Sequence, residues 1–168
     1  MGTRSSKSLP IAIRPAAIAD APALAMIEHT CFPPEDAFSL RHIRALLRNP
    51  RVICLAAQSR SAKRTGSRIA GWCVAFLRRH ASGVRSGRIY TLAVDPMLQG
   101  QGIARRLLQR SLSHLRAANV RHVYLEVRAA NERAIAMYEK FGFALVERMP
   151  HYYARGKHGI RMRLALVG

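Results

Sequence analysis

At 168 residues the chain is long enough for one domain with a core of its own and too short for two. Hydrophobic residues make up 49% of it, too many for a disordered chain, and no apolar run approaches the roughly 20 residues needed to cross a bilayer. Lys and Arg number 28 against 9 Asp and Glu, a formal charge of +19 that draws polyanions such as nucleic acid, a ribosomal surface or an acidic protein, unless it reflects compositional bias alone.

Met1 to Ser8 is polar and is not followed by the apolar core of a signal peptide. Residues 1–9 are therefore expected to be a flexible N-terminal segment, residues 10–168 a single domain, and the cytoplasm its location. Pro10 to Pro15 alternates and suits an edge strand. Asp20 then caps a helix with Pro22 in its first turn and Leu24, Ile27 and Cys31 on its apolar face. Ser39 caps a second helix carrying Leu40, Ile43 and Leu47, which Asn49-Pro50 stops.

Val52 to Ala57 and Ile69 to Leu77 form a hairpin around a loose basic loop from Ser59 to Ser67. After a polar break around Ser82 to Gly87, a strand runs from Ile89 to Val94 and ends at Asp95-Pro96. Ile103, Leu107, Leu108, Leu112 and Leu115 mark a long amphipathic helix. A strand over His122 to Val127 follows, then a helix capped by Asn131 and ended by Gly142. Two strands, Phe143 to Arg148 and Ile160 to Leu166, flank a last loop containing His, Tyr and Gly. The predicted order is βααβββαβαββ.

Cys31, Cys54 and Cys73 are odd in number, far apart and set in apolar segments, so buried thiols are expected rather than disulfides. The seven histidines have no HExxH or other metal spacing, and no metal is expected.

The segment YTLAVDPMLQGQGIARRLL, Tyr90 to Leu108, reads as strand, glycine turn and helix. Such a turn aims backbone N–H groups into one concavity at the positive end of a helix, where phosphate oxygens fit. GxxxxGK[ST] is absent, and Arg105 stands where the dinucleotide fingerprint needs its third glycine, so a nucleotide triphosphate and NAD or FAD both fit poorly.

Gln99-Gly100-Gln101-Gly102-Ile103-Ala104 resembles the Q/R-x-x-G-x-G/A signature of the GNAT acetyltransferases, and Leu125 to Phe143 (LEVRAANERAIAMYEKFGF) resembles the second half of the acetyl-CoA site in their ribosomal-protein-alanine group. The resemblance runs from about Ile11 to Leu166. It implies the α/β (α+β) GNAT fold, a mixed, mostly antiparallel sheet of about seven strands with about four helices, splayed in the middle to admit acetyl-CoA. It also implies that backbone groups of Leu92, Ala93 and Val94 pair with the pantetheine arm. Gly100, Gln101, Gly102, Ile103, Ala104 and Arg105 would hold the pyrophosphate, and Asn131 would contact the arm.

An amine attacks only when neutral, and a departing thiolate leaves better when protonated. The resemblance assigns the base to Glu126 and the acid to Tyr138. Other readings stand beside these: Glu126 as a carboxylate paired with Arg128 or another arginine, and Tyr138 as a core residue on one helical face with Ala134 and Phe141. Glu35 and Asp36 are either an acidic rim for the amine or helix-start carboxylates. His151-Tyr152-Tyr153 resembles a Tyr-Tyr stretch beside the substrate in the alanine acetyltransferases, whereas FPPEDAFS departs from their FPWS-like loop. The expected activity is direct acetyl transfer to a protein N-terminal or lysine amine. The alternatives are a small amine such as a polyamine or aminoglycoside-like compound, and a non-catalytic basic module that binds nucleic acid or ribosomes.

Overall fold

Strands and helices follow the expected order in the computed structural model, which describes residues 10–59 and 68–166. The N-terminal segment over residues 1–9 and nearly all of the basic hairpin loop lie outside the described residues. The elements are β1 (Ile11–Pro15), α1 (Ala21–Cys31), α2 (Leu40–Arg48), β2 (Val52–Ser59), β3 (Arg68–Arg79), β4 (Arg85–Val94), α3 (Ile103–Ala117), β5 (His122–Arg128), α4 (Glu132–Lys140), β6 (Ala144–Ala154) and β7 (Lys157–Ala165). The strands form one seven-stranded sheet, ordered β1-β2-β3-β4-β5-β7-β6. Every pairing is antiparallel except β4 with β5, and α3 is the crossover between those two.

Each sheet face buries a different cluster. Leu107, Leu108, Leu112 and Leu115 of α3 pack on Ala75, Ile89, Val123 and Leu125. On the opposite face Leu24 and Ile27 of α1 and Ile43 and Leu46 of α2 pack on Ala56, Trp72, Val74 and Ala93. Two side-chain caps act as expected: Ser39 Oγ accepts the His42 N–H at 3.2 Å and Asn131 Oδ1 accepts the Ala134 N–H at 3.1 Å. Of the three free cysteines Cys73 is buried, whereas Cys31 and Cys54 are half-buried.

Three strand boundaries differ from expectation, the simplest being β7, which begins at Lys157 rather than Ile160. β4 begins at Arg85 rather than Ile89, because Ser86 and Gly87 are buried and a Cβ on Gly87 would lie 3.0 Å from Leu115 of α3. Its small polar composition reads as a loop but serves close helix packing. β6 continues through His151-Tyr152-Tyr153 to Ala154, where a loop was expected. The pairing with β7 breaks register between Met149 and Ala154, and His151 takes φ +55° inside that break.

β4 and β5 pair only from Ser86 opposite His122 to Ile89 opposite Leu125, and beyond that point they part. On its other edge β4 shifts register against β3 at the same place: Ile89 faces Ala75 and Thr91 faces Val74, leaving Tyr90 as the extra residue. This bulge turns consecutive residues Tyr90 and Thr91 from the α3 core and opens the middle of the sheet.

Candidate active site

Two cavities meet where the sheet parts. One, of about 670 Å³, lies between the turn before α3 and the face of α4, and is lined by Leu92, Val94, Gly100, Gly102, Ile103, Ala104, Arg105 and Asn131 among others. The other, of about 610 Å³, lies between the α1–α2 loop and β6, and is lined by Glu35, Asp36, Tyr90, Glu126, Arg128, Tyr152 and Tyr153 among others. Leu92, Asn131, Ala134 and Tyr138 line both.

The first cavity suits an anion. Gly102 is the N-cap of α3 with φ +76°, in the left-handed region that glycine adopts without strain, and it offers the first turn no side-chain acceptor. A Cβ built on Gly102 meets nothing within 4 Å, so the concavity is open at its backbone. The first turn of α3 carries no acidic residue, and the Arg133 guanidinium lies 3.7 Å from the position of a Cβ on Gly100. Uncapped N–H groups, the positive helix end and nearby arginines together favour phosphate oxygens. The pyrophosphate and arm of a coenzyme A molecule therefore fit the residues present. Ala93 and Gln101 do not line this cavity: Ala93 is buried in the cluster beneath α1 and α2. The Val94 carbonyl accepts the Cys31 thiol and the Gln99 side-chain amide, each at 3.2 Å.

Tyr138 stands at the junction. It is buried, packs edge-on against Phe143 with ring centres 5.7 Å apart, and no described protein group hydrogen-bonds its hydroxyl. Burial raises its phenol far above the ordinary value of 10.0, so it carries its proton at neutral pH.

Glu126 lines the second cavity and is held from both flanks. Oε2 accepts Arg88 Nε at 2.8 Å and Oε1 accepts Arg161 Nε at 3.0 Å. The alternative of a carboxylate paired with arginine is thus met, by Arg88 and Arg161 rather than by Arg128. Arg128 instead pairs with Asp36 and stacks over Tyr153, 4.4 Å from the ring centre. Asp36 thus ties the α1–α2 loop to β5, while Glu35 reaches Lys157 at 3.9 Å on the exposed rim. Both acids of the expected rim therefore carry cationic partners.

His151 does not line the second cavity. Its backbone N–H donates to His158 Nδ1 at 3.1 Å, and its own Nδ1 accepts the Gly156 N–H at 2.8 Å, so it braces the hairpin that presents Tyr152 and Tyr153. Burial pushes the Tyr153 hydroxyl up to about 12.

Sequence reasoning missed a fourth carboxylate. Glu28 of α1 is 1% exposed, lines the second cavity, and accepts Trp72 Nε1 at 2.8 Å, Thr91 Oγ1 at 2.9 Å and the Phe38 N–H at 3.3 Å. Burial raises its pKa, partly offset by these donors. The signal was present: Glu28 lies four residues after Leu24, on the buried face, in a chain with few acids. Phe38 and Tyr90, stacked at 5.0 Å, form an aromatic wall that was also missed. Among the described residues no group of His, Cys, Asp and Glu is arranged to hold a metal, and no helix is long and apolar enough to cross a membrane.

An α/β sheet parted to join a phosphate-suited cavity to an aromatic one defines a two-substrate transfer architecture. The model of the acetyltransferase (GNAT) family matches residues 21–143, and the chain belongs to that family. It is 38% identical over 96 residues to an N-alpha-acetyltransferase of Sulfolobus acidocaldarius, an alignment covering 56% of this chain and 57% of that protein. The chain thus spans little more than half the length of that relative. Among solved structures it is similar to the ribosomal-protein-S18-alanine N-acetyltransferase of Escherichia coli, with a TM-score of 0.75, 25% identity, and coverage of 95% and 97% of the two chains. The fold is also that of Arabidopsis thaliana NAA60 in complex with acetyl-CoA, with a TM-score of 0.84, 23% identity, and coverage of 95% and 100%.

Proposed function

We propose that this chain transfers acetyl from acetyl-CoA to the N-terminal amine of a polypeptide, with residues 10–168 acting as one unit. The observation that carries this reading is the pair of cavities sharing Leu92, Asn131, Ala134 and Tyr138 at the parting of β4 and β5. Acetyl-CoA supplies an activated thioester. The chain supplies the rest.

Gly100 and the run from Gly102 to Arg105 hold the pyrophosphate through backbone N–H groups, with Arg105 and Arg133 adding charge. Leu92 and Val94 pair with the arm as a strand edge, and Asn131 borders it. The amine enters through the aromatic cavity and is oriented by Tyr90, Tyr152 and Tyr153. Glu126, whose two oxygens are both engaged by arginines, takes the amine proton through water rather than by direct contact. Tyr138, protonated at neutral pH, gives its proton to the leaving sulfur. The unlinked thiols fit a reducing compartment, and we assign the chain to the cytoplasm.

The test is thiol release from acetyl-CoA with free N-terminal peptides, N-blocked lysine peptides and polyamines as acceptors. Free N-terminal peptides are expected to give the highest kcat/KM. Faster turnover of blocked lysine peptides or polyamines would reassign the acceptor.

A further inference from the structure

The acceptor cavity continues away from the cofactor side. It shares Arg88, Glu126 and Tyr152 with a second recess of about 500 Å³, which in turn shares Arg78 and His80 with a third of about 960 Å³. The three run in series along β4 as one groove: the first two lie on the sheet face that α1 and α2 leave partly uncovered, and the third turns over the end of the β3–β4 hairpin to Leu77 and the C-terminal end of α3, where Arg85 donates to the Ala118 carbonyl at 2.9 Å.

Its charge is one-sided. The two outer recesses are lined by Arg51, Arg78, Arg79, Arg85, Arg88 and Arg161 against a single carboxylate, Glu126, which Arg88 and Arg161 already occupy. The far recess has no carboxylate lining it, and Arg51, Arg78, Arg79 and Arg85 pair with none among the described residues. A concave wall of one sign focuses its field on whatever lies in it.

We propose that this groove binds an acidic polypeptide segment that follows the acceptor's amino terminus. The inference rests on the acceptor reading above, because the groove is continuous with the acceptor cavity and its occupant is then the same chain that presents the amine. A nucleic acid matches the charge but has no such amine to place in the cavity. At about 3.3 Å per residue, the path from Tyr90 to Arg85 is roughly 16 Å, so about five extended residues cross it. Acidic side chains are selected within roughly the third to eighth positions of the acceptor. The guanidinium forks of the wall suit carboxylates two at a time.

The experiment uses two fluorescent peptides with the same two first residues, one continuing in six glutamates and the other in six glutamines, and a single-stranded RNA of equal charge. Anisotropy measures binding to the wild-type chain and to the R78E/R79E variant, which reverses two exposed arginines outside the reaction centre. The glutamate peptide is expected to bind about tenfold tighter than the glutamine peptide to wild type, and that preference to vanish in the variant and at high salt. The glutamine peptide binds both proteins equally, which reports that the variant is folded. A wild-type preference of less than twofold, or one that survives the double reversal, overturns the proposal, as does RNA binding more tightly than the glutamate peptide. Turnover of the glutamine peptide is followed separately. Its absence counts against acetyl transfer and leaves the binding comparison to decide the groove.

Discussion

Trp72 donates its indole N–H to the Glu28 carboxylate at 2.8 Å, in a pocket that also seats Thr91 and the backbone of Phe38. One buried acid thus joins α1, β3, β4 and the loop that walls the acceptor cavity. Burial raises its folded pKa above the ordinary value of 4.5. Between those two values the folded chain holds a proton that the unfolded chain has released. Stability therefore falls as pH rises from the ordinary value through the folded one, and levels off above it. E28Q removes this slope and changes stability at neutral pH by no more than about 1 kcal/mol, because it keeps an acceptor for Trp72 and Thr91. E28A leaves Trp72, Thr91 and the Phe38 N–H without their acceptor and costs on the order of 3 kcal/mol. Urea melts of the three proteins from pH 4 to 8 check both outcomes.

Much of this architecture is legible in the sequence because its signals are local. Caps at Ser39 and Asn131, the apolar stripe of α3 and the glycine at 142 each act within one turn of chain, and each does what its residue type predicts. Signals that depend on a distant partner are not legible in the same way. Ser86-Gly87 looks like a loop until Leu115 is brought against it, and Glu28 looks like surface until Trp72 and Thr91 surround it. The partners of Glu126 and Asp36 come from strands and loops far away in the chain, so arginine abundance alone could not name them.

Asp36 and Arg128 pair across the acceptor cavity, and Arg128 also stacks on Tyr153. The pair is partly exposed, with side chains 24% and 30% accessible, so D36N is expected to cost no more than about 1 kcal/mol, a shift of roughly 2–4 °C in melting temperature. Its effect on function is local. KM for the acceptor peptide rises while KM for acetyl-CoA stays as it was, and R128A, which also removes the stacked cation, raises acceptor KM further. Steady-state kinetics with each substrate varied in turn makes the check, and an equal rise in both KM values would mean the pair supports the whole cleft.

Gly102 holds φ +76° at the start of α3. G102A forces a side chain into the left-handed region, at a cost of about 1–2 kcal/mol, and puts a methyl group into the concavity assigned to the pyrophosphate. Thermal melting should register the first effect and titration calorimetry with CoA the second. Weakened CoA binding with unchanged acceptor KM is the expected pattern. Unaltered CoA affinity in a variant that melts lower would move the phosphate site away from this turn.

Tyr138 offers the sharpest separation of chemistry from binding. Tyr138 lines both cavities, its hydroxyl has no described protein partner, and burial raises its pKa further above an ordinary value of 10.0 at which it already keeps its proton at neutral pH. Y138F preserves the ring that packs on Phe143 and removes only the proton donor. Loss of a positioned general acid costs about 10²- to 10⁴-fold, and that loss is expected in kcat, with acetyl-CoA affinity and melting temperature unchanged. A pure packing role predicts the opposite, near-normal kcat, because phenylalanine fills the same volume. An acceptor series of declining amine basicity, combined with rapid-quench measurement of the first turnover, then shows whether proton delivery to sulfur limits the variant. If single-turnover rates of Y138F match wild type, the hydroxyl is structural and the proton reaches the thiolate from solvent.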